Sequence, residues 1–233
     1  MNIVITGGSK GMGKAVAEKF LSAKNNISIC ARNSRELEAT AKQLSDKYGQ
    51  EVKYFATDLS EKENVLKFAS WLLEQNKEID VLVNNAGHFI PGSVYNEEEG
   101  TLRKMIDIHL FSAYHLTRAL LPSMMEKRSG HIFNMSSIAA LNAYRNGGSY
   151  SISKFALMGF SKNLREEMKP FNIKVTTVYP GAVYTSSWEG SGISPERMME
   201  ADDIAGMVYA ASLLSPQACV EDIVIRPLLG DIP

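Results

Sequence analysis

Cysteine is scarce in this sequence. Cys30 and Cys219 are the only two among 233 residues, and most of the chain separates them. That excludes a disulfide framework and a cysteine-based metal cluster, so both read as small hydrophobes in a protein of the reducing cytoplasm. Histidine is thin as well. His88, His115 and His131 are dispersed, without the close spacing a metal site needs, and no metal is expected. Charge of one sign is missing too: the formal net charge is −1, which offers no footprint for nucleic acid or for an acidic membrane surface. No apolar run approaches the roughly 20 residues that cross a bilayer. With a first strand expected from about Asn2, no signal peptide is expected either. Repeats, low-complexity tracts and linkers are lacking. At 45% hydrophobic and 22% charged residues, the composition fits one large α/β domain over residues 1–233 better than two small ones.

What is present is an alternation of short apolar runs and longer helical patterns. The runs Ile3 to Thr6, Ile27 to Ala31, Val52 to Ala56, Ile79 to Val83, His131 to Met135, Lys174 to Val178 and Asp222 to Ile225 read as strands. Between them, helices are expected over Met12 to Ala23, Ser34 to Tyr48 with Ser34 as N-cap, and Glu61 to Gln75. Further helices are expected over Glu98 to Glu126, Tyr150 to Lys169 and Asp202 to Leu214. The strands are nearly continuous in Val, Ile and Leu, as in sheets covered on both faces. Repeated βα units imply a three-layer α/β/α, doubly wound parallel sheet of the Rossmann type, with about seven strands. Glu97, Glu98 and Glu99 are expected to complement the dipole of the long helix that follows.

The first βα turn, Thr6 to Gly13, is rich in glycine. Glycines let the backbone approach a pyrophosphate, and a helix N-terminus offers unpaired N–H groups to it. The spacing is Gly-x-x-x-Gly-x-Gly rather than the common Gly-x-Gly-x-x-Gly. Its place at the start of a doubly wound chain makes it a dinucleotide turn. Lys10 lies inside it and Arg32 just past the second strand, while no Asp or Glu lies between Ile27 and Arg35. A carboxylate there would hold a ribose 2′-hydroxyl and repel a 2′-phosphate, whereas an arginine does the reverse, so NADP(H) is the expected dinucleotide.

Tyr150 and Lys154 are four residues apart in an expected helix and emerge on one face. A neighbouring ammonium favours the ionised phenol, which makes the pair an acid/base device. Together these segments resemble the short-chain dehydrogenase/reductase family over essentially the whole chain. The motifs arrive in the family's order: Thr6 to Gly13, Asp58-Leu59, Asn84-Asn85-Ala86-Gly87, Ser137, Tyr150-x-x-x-Lys154, and Pro180 to Thr185.

The resemblance implies an NADP(H)-dependent oxidoreductase, a carbonyl reductase acting on a small ketone, aldehyde or 3-oxoacyl group. The rival is an NADPH-binding sensor or scaffold without turnover. Implied cofactor contacts are Gly7, Ser9, Lys10, Gly11, Met12 and Gly13 at the pyrophosphate and adenosine side, with Arg32 at the 2′-phosphate. Asp58 and Leu59 would meet adenine, and Asn85, Ala86 and Gly87 the adenosine and ribose. Pro180, Gly181, Val183 and Thr185 would hold the nicotinamide, and Lys154 its ribose. Tyr150 is implied as acid/base and Ser137 as the group orienting the carbonyl. One position departs from the pattern: His109 stands where the family usually has an Asn that helps anchor a proton relay, so the expectation there is either a relay carried or altered by the imidazole or a ring that merely packs against the sheet.

Substrate contacts are expected from His88, Asn142, Tyr144, Trp188 and Met198, the last two in a loop at about 185–199. Members usually assemble through the long helix and the helix carrying Tyr and Lys, so a homodimer or homotetramer is expected. The C-terminal residues lack the glycine pair common in tetrameric members.

Overall fold

The computed structural model describes residues 1–75, 78–188, 190 and 192–232. Seven strands form one parallel sheet: β1 (Asn2–Thr6), β2 (Asn26–Ala31), β3 (Val52–Ala56), β4 (Val81–Asn84), β5 (Gly130–Met135), β6 (Ile173–Pro180) and β7 (Asp222–Ile225). Their order is β3-β2-β1-β4-β5-β6-β7. The helices are α1 (Gly11–Ser22), α2 (Ser34–Tyr48), α3 (Lys62–Gln75), α4 (Thr101–Ile106), α5 (Ser112–Lys127), α6 (Gly148–Met168) and α7 (Ala201–Ser212). The expected doubly wound sheet is what forms.

Two cores flank the sheet. On one face, Ile3 and Ile5 of β1 pack with Phe20 of α1, Leu37 and Leu44 of α2, and Ile204 and Val208 of α7. On the other, Val4 of the same strand joins Phe68 and Leu72 of α3, Leu116 and Leu120 of α5, and Leu164 of α6. Alternate β1 side chains thus enter opposite cores, which is why the strand is apolar without a break from Ile3 to Ile5. Full burial of a side chain such as Phe68 or Leu72 contributes about 1.5–3 kcal/mol.

The chain leaves β1 toward β2 and β3, then returns to β4 on the other side of β1. This reversal opens a crevice at the carboxyl ends of β1 and β4, where open α/β sheets bind ligands.

Three local expectations need correcting. Asn33, not Ser34, caps α2: its side chain accepts from the Glu36 N–H at 3.2 Å. Both residue types cap well, so the sequence alone does not choose between them. The long helix is not continuous from Glu98. It begins at Thr101 and is interrupted by a π-helical turn over Asp107–Phe111 before continuing as α5. Glu97 does not serve that helix. Its carboxylate accepts from the Ser149 N–H at 3.1 Å and from the Ser149 hydroxyl, and so caps α6 across 52 residues of chain. Smaller shifts are that Ile79 falls just before β4 while remaining buried, and that α6 starts two residues before Tyr150.

Candidate active site

The glycine turn closes on the loop after β4. Thr6 Oγ1 accepts from the backbone N–H groups of Asn85 and Ala86 at 2.8 and 2.9 Å. In return, Asn85 Nδ2 donates to the carbonyls of Thr6 (2.9 Å) and Gly7 (3.2 Å). The Asn85 side chain therefore holds the turn, and its backbone and that of Ala86 are what run along the crevice. Gly7 adopts φ +66°, in the region that favours glycine. At Gly13 a Cβ would lie 2.2 Å from the Gly7 carbonyl oxygen and 2.6 Å from Asn85 Nδ2. Both positions require glycine if backbone is to stay this close to backbone. Gly11 faces the Thr185 side chain, 3.2 Å from where its Cβ would be, which brings the loop after β6 onto the turn. This glycine cradle at the start of α1, with its first-turn N–H groups, suits a pyrophosphate.

Beneath the turn, Cys30 of β2 is fully buried. Its carbonyl accepts from the Gly8 N–H at 3.1 Å, and burial pushes its thiol pKa up to about 12 against a hydrogen bond from the Gly7 backbone.

At the outer end, Arg32 is exposed and Lys10 lies 3.8 Å from the Glu36 carboxylate. The Ser9 hydroxyl donates to the same carboxylate at 3.4 Å. Glu36 lies one position beyond the acid-free stretch from Ile27 to Arg35, and the expectation of unpaired cations at this end did not include it. Its signal was the Asn-x-x-Glu spacing from Asn33, the pattern of a capping box. Asp58 accepts from the N–H and hydroxyl of Ser60 at 3.0 and 2.8 Å. The Leu59 side chain is buried in the core beside α3, so only its backbone is open to a ligand. Met12 is partly buried against the α1 core.

Ser137 follows β5 and caps a short 3₁₀ turn, its Oγ accepting from the Ala139 N–H at 3.1 Å. Tyr150 and Lys154 emerge from one face of α6, as their spacing requires. The Ser137 side chain is the polar group next to the Tyr150 phenol and favours its ionised form. Burial raises the phenol pKa above its ordinary value, and Ser137 only partly offsets this. The expectation that Lys154 draws the phenol toward its ionised form is thus outweighed by burial. Lys154 is itself buried, which lowers its pKa to about 7. Its Nζ donates to the Met135 carbonyl at 2.9 Å and stands 5.6 Å from the centre of the Tyr150 ring. These three side chains are brought together.

His109 belongs to the same cluster. It lies in the π-turn, 2% exposed, with its ring 5.4 Å from that of Tyr150 at an interplanar angle of 83°. Burial, then the charges of Lys154 and His88, hold its pKa well below the ordinary histidine value. Behind the cluster, Asn84 Nδ2 donates to Thr117 Oγ1 (3.1 Å) and Asn134 Oδ1 (2.8 Å), and Asn134 Nδ2 donates to Ser161 Oγ (2.8 Å). This buried polar ladder ties β4 and β5 to α5 and α6.

The segment after β6 is fastened from both sides. Gly181 N–H donates to the Ile225 carbonyl at 2.8 Å, and Val183 forms a parallel bridge with Met199. Pro180 ends β6 and Val183 is buried beside it. Of the expected substrate residues, Asn142 and His88 are exposed, and Tyr144 is 45% exposed with its phenol pKa raised to about 12 by burial and by Tyr150. Trp188 ends a 3₁₀ turn over Ser186–Trp188. Met198 is buried, so it is wall rather than open surface. Residues 189 and 191 of the expected loop lie outside the described residues. Phe89, outside that expected set, stands with its ring 5.0 Å from that of Tyr150 at 84°.

Residues 1–193 match the short chain dehydrogenase family. A sepiapterin reductase of Chlorobaculum tepidum is 32% identical over 238 aligned residues, covering 99% of this chain and 97% of that protein. A metagenomic short-chain oxidoreductase solved with NADP superposes with a TM-score of 0.85 at 30% identity, covering 97% of this chain and 96% of that one. An alcohol dehydrogenase from Thermococcus sibiricus, solved with 5-hydroxy-NADP, gives a TM-score of 0.92 at 27% identity, covering 100% and 98%. The glycine cradle, the Ser137–Tyr150–Lys154 cluster and these likenesses agree: the chain belongs to the short-chain dehydrogenase family of oxidoreductases.

Proposed function

We propose that the protein is an NADP(H)-dependent reductase of small carbonyl compounds, ketones, aldehydes or 3-oxoacyl groups, also able to run the reverse oxidation. The observation that carries this reading is the cluster in which the Ser137 side chain and the buried Lys154 ammonium, 5.6 Å from the ring centre, flank the half-buried Tyr150 phenol. The cradle of Gly7, Gly11 and Gly13, with Ser9, Lys10 and Met12, would hold the pyrophosphate, and Arg32 with Lys10 the 2′-phosphate. The backbone of Asp58, Leu59, Asn85, Ala86 and Gly87 would follow the adenosine, and Pro180, Gly181, Val183 and Thr185 the nicotinamide. NADP complexes of the related structures support that assignment. Bound there, the nicotinamide supplies the hydride in reduction or accepts it in oxidation.

The chain's own groups handle the oxygen and its proton. Ser137 donates a hydrogen bond to the carbonyl oxygen and fixes its direction, which stabilises the developing alkoxide. Tyr150 is protonated at neutral pH because burial dominates its pKa, so it is ready to donate its proton to that oxygen. Lys154 binds the nicotinamide ribose. Near pH 7 it also gains or loses a proton at little cost, which suits it to restore the phenol. Phe89, His88, Asn142, Tyr144 and Trp188 border the substrate side. The protein is cytoplasmic in this reading. It acts as a homodimer or homotetramer through the α4–α6 face, where Phe111, Ile152 and Phe155 are exposed.

Tyr150→Phe tests the reading. NADPH oxidation against a panel of carbonyl compounds falls to background, while NADPH affinity, read from nicotinamide fluorescence, stays within about twofold. Near-normal turnover in this variant removes Tyr150 from the proton step. A wild-type protein that binds NADPH and reduces none of the panel refutes the reductase and favours the sensor.

A further inference from the structure

His109 has both ring nitrogens committed. Nε2 lies 3.2 Å from the His88 backbone N–H and accepts from it. Nδ1 lies 2.8 Å from Ser153 Oγ. The Ser153 hydroxyl has one proton, which it donates to the Tyr150 carbonyl at 2.7 Å. The serine oxygen therefore accepts from the ring, and the tautomer is fixed: proton on Nδ1, lone pair on Nε2. An imidazolium would set an Nε2 proton against the His88 N–H, donor against donor. Burial and the positive charge of Lys154 oppose the charged form as well.

Each bond goes to a different part of the site. Ser153 and Tyr150 are on α6; His88 follows the Asn-Asn-Ala-Gly segment and precedes Phe89. The imidazole thus bridges the π-turn, the loop after β4 and the catalytic helix at one point. Gly87 makes room for it, since a Cβ there would stand 2.5 Å from the ring's Cδ2 and 2.6 Å from Nε2. Phe89, one residue past the clamped N–H, lays its ring edge-on to Tyr150 at 5.0 Å, while His109 meets the same ring at 5.4 Å.

From this arrangement we infer that His109 is a positioning residue: it clamps the Gly87–Phe89 segment to the helix carrying Tyr150 and thereby sets the substrate-side wall formed by Phe89. The inference rests on the reductase reading for its kinetic consequence, though not for the clamp itself. With both nitrogens engaged in fixed roles, the ring holds geometry and does not pass protons.

The two ends of the ring can be replaced separately. An Asn amide reaches about as far as Nδ1, and a Gln amide about as far as Nε2. His109→Asn keeps the Ser153 bond and leaves the His88 N–H without its acceptor, whereas His109→Gln restores an acceptor for that N–H. Amide exchange of the NADPH-bound protein reads the clamp without any substrate. In His109→Asn the His88 amide exchanges about tenfold faster, and in His109→Gln it returns to near the wild-type rate. With 2,3-butanedione and 4-nitrobenzaldehyde as probes, KM in His109→Asn rises about tenfold while kcat and NADPH affinity change by less than about threefold. The Gln variant recovers KM, and the shape of the pH–rate profile is the same in all three proteins.

An unchanged His88 amide and unchanged KM in His109→Asn overturn the inference. So does a Gln variant that behaves like Asn, or a displaced pH profile, which would return His109 to proton transfer. If wild type reduces neither these probes nor the wider carbonyl panel while the amide pattern holds, the clamp stands and the reductase reading fails.

Discussion

Alanine at Gly87 is the sharpest test of how tightly this site is packed. Gly87 is outside the left-handed region, so its backbone accepts an L side chain without strain. By itself the change should even stabilise the fold by about 0.4–1 kcal/mol, through a smaller unfolded ensemble. The opposing effect is local. The new methyl would stand 2.5–2.6 Å from two atoms of the His109 ring, well inside contact distance. That ring is pinned at both nitrogens, so it has no soft direction in which to yield. Overpacking of this kind costs about 1–3 kcal/mol. If the ring moves, the His88 N–H loses its acceptor at a further cost of about 1–3 kcal/mol. The net expectation is a loss of about 2–4 kcal/mol in urea unfolding at fixed protein concentration. In a His109→Ala background the methyl enters the vacated space and Gly87→Ala becomes neutral or slightly stabilising. The coupling from the four proteins should therefore be about 2–4 kcal/mol. An equal cost of Gly87→Ala in both backgrounds would show that the contact is not the cause, and the packing argument would fail.

Other parts of the site make separate predictions. Arg32→Asp weakens NADPH binding by about 1.5–3 kcal/mol, through loss of a charge-assisted bond to the 2′-phosphate. NADH binding is unchanged or tighter, and calorimetric titration showing a wild-type preference for NADH would refute the assignment. Glu97→Ala loses the cap of α6 and lowers unfolding free energy by about 1–2 kcal/mol, whereas exposed Glu98→Ala stays within about 0.5 kcal/mol. Equal effects in urea melts would dismiss the cap. Lys154 gives a pH signature. Its folded pKa is lowered to about 7 from 10.5, so between those values the unfolded chain binds more protons and stability contributed by this group rises with pH. That contribution is complete above about pH 10.5 and gone below about pH 7. Relative to Lys154→Met, wild type should gain unfolding free energy between pH 7 and pH 9.5, and a constant difference would place the lysine pKa elsewhere.

The sheet was legible because its central strands are covered on both faces, so Val, Ile and Leu runs mark them directly, while the half-exposed edge strands β3 and β7 were placed by their position in the alternation with helices. Gly7 and Gly13, and the pair Tyr150 and Lys154, were legible because close backbone approach and helical spacing restrict residue type and interval, whereas Ser137 came from the family resemblance alone. What escaped was set by distance in the chain or by burial. The apolar rhythm through Met105, Ile108, Leu116 and Leu120 continues past one extra residue, so the π-turn at Asp107–Phe111 leaves no break to read. Glu97 looked like the cap of the helix next to it, but its partner is Ser149, 52 residues away. Tyr150 and Lys154 advertised a charge pair, yet burial decides both pKa values, and local spacing carries no information about burial.

The thiol beneath the glycine turn gives this protein a built-in clock. Cys30 is sealed by the Gly7–Gly8 backbone, and as a thiol with a pKa near 12 it does not react while the turn is closed. The Cys30 side chain also packs in the core of Val4, Leu59, Val65 and Phe68, so an alkylating reagent reaches it only when that core opens, and the rate of labelling counts those openings. Cys219, more accessible and far from the turn, supplies a reference thiol in the same molecule. The scarcity of cysteine thus leaves one silent and one responsive probe on the native chain, and no reporter group has to be engineered to time when the core beneath the cradle opens.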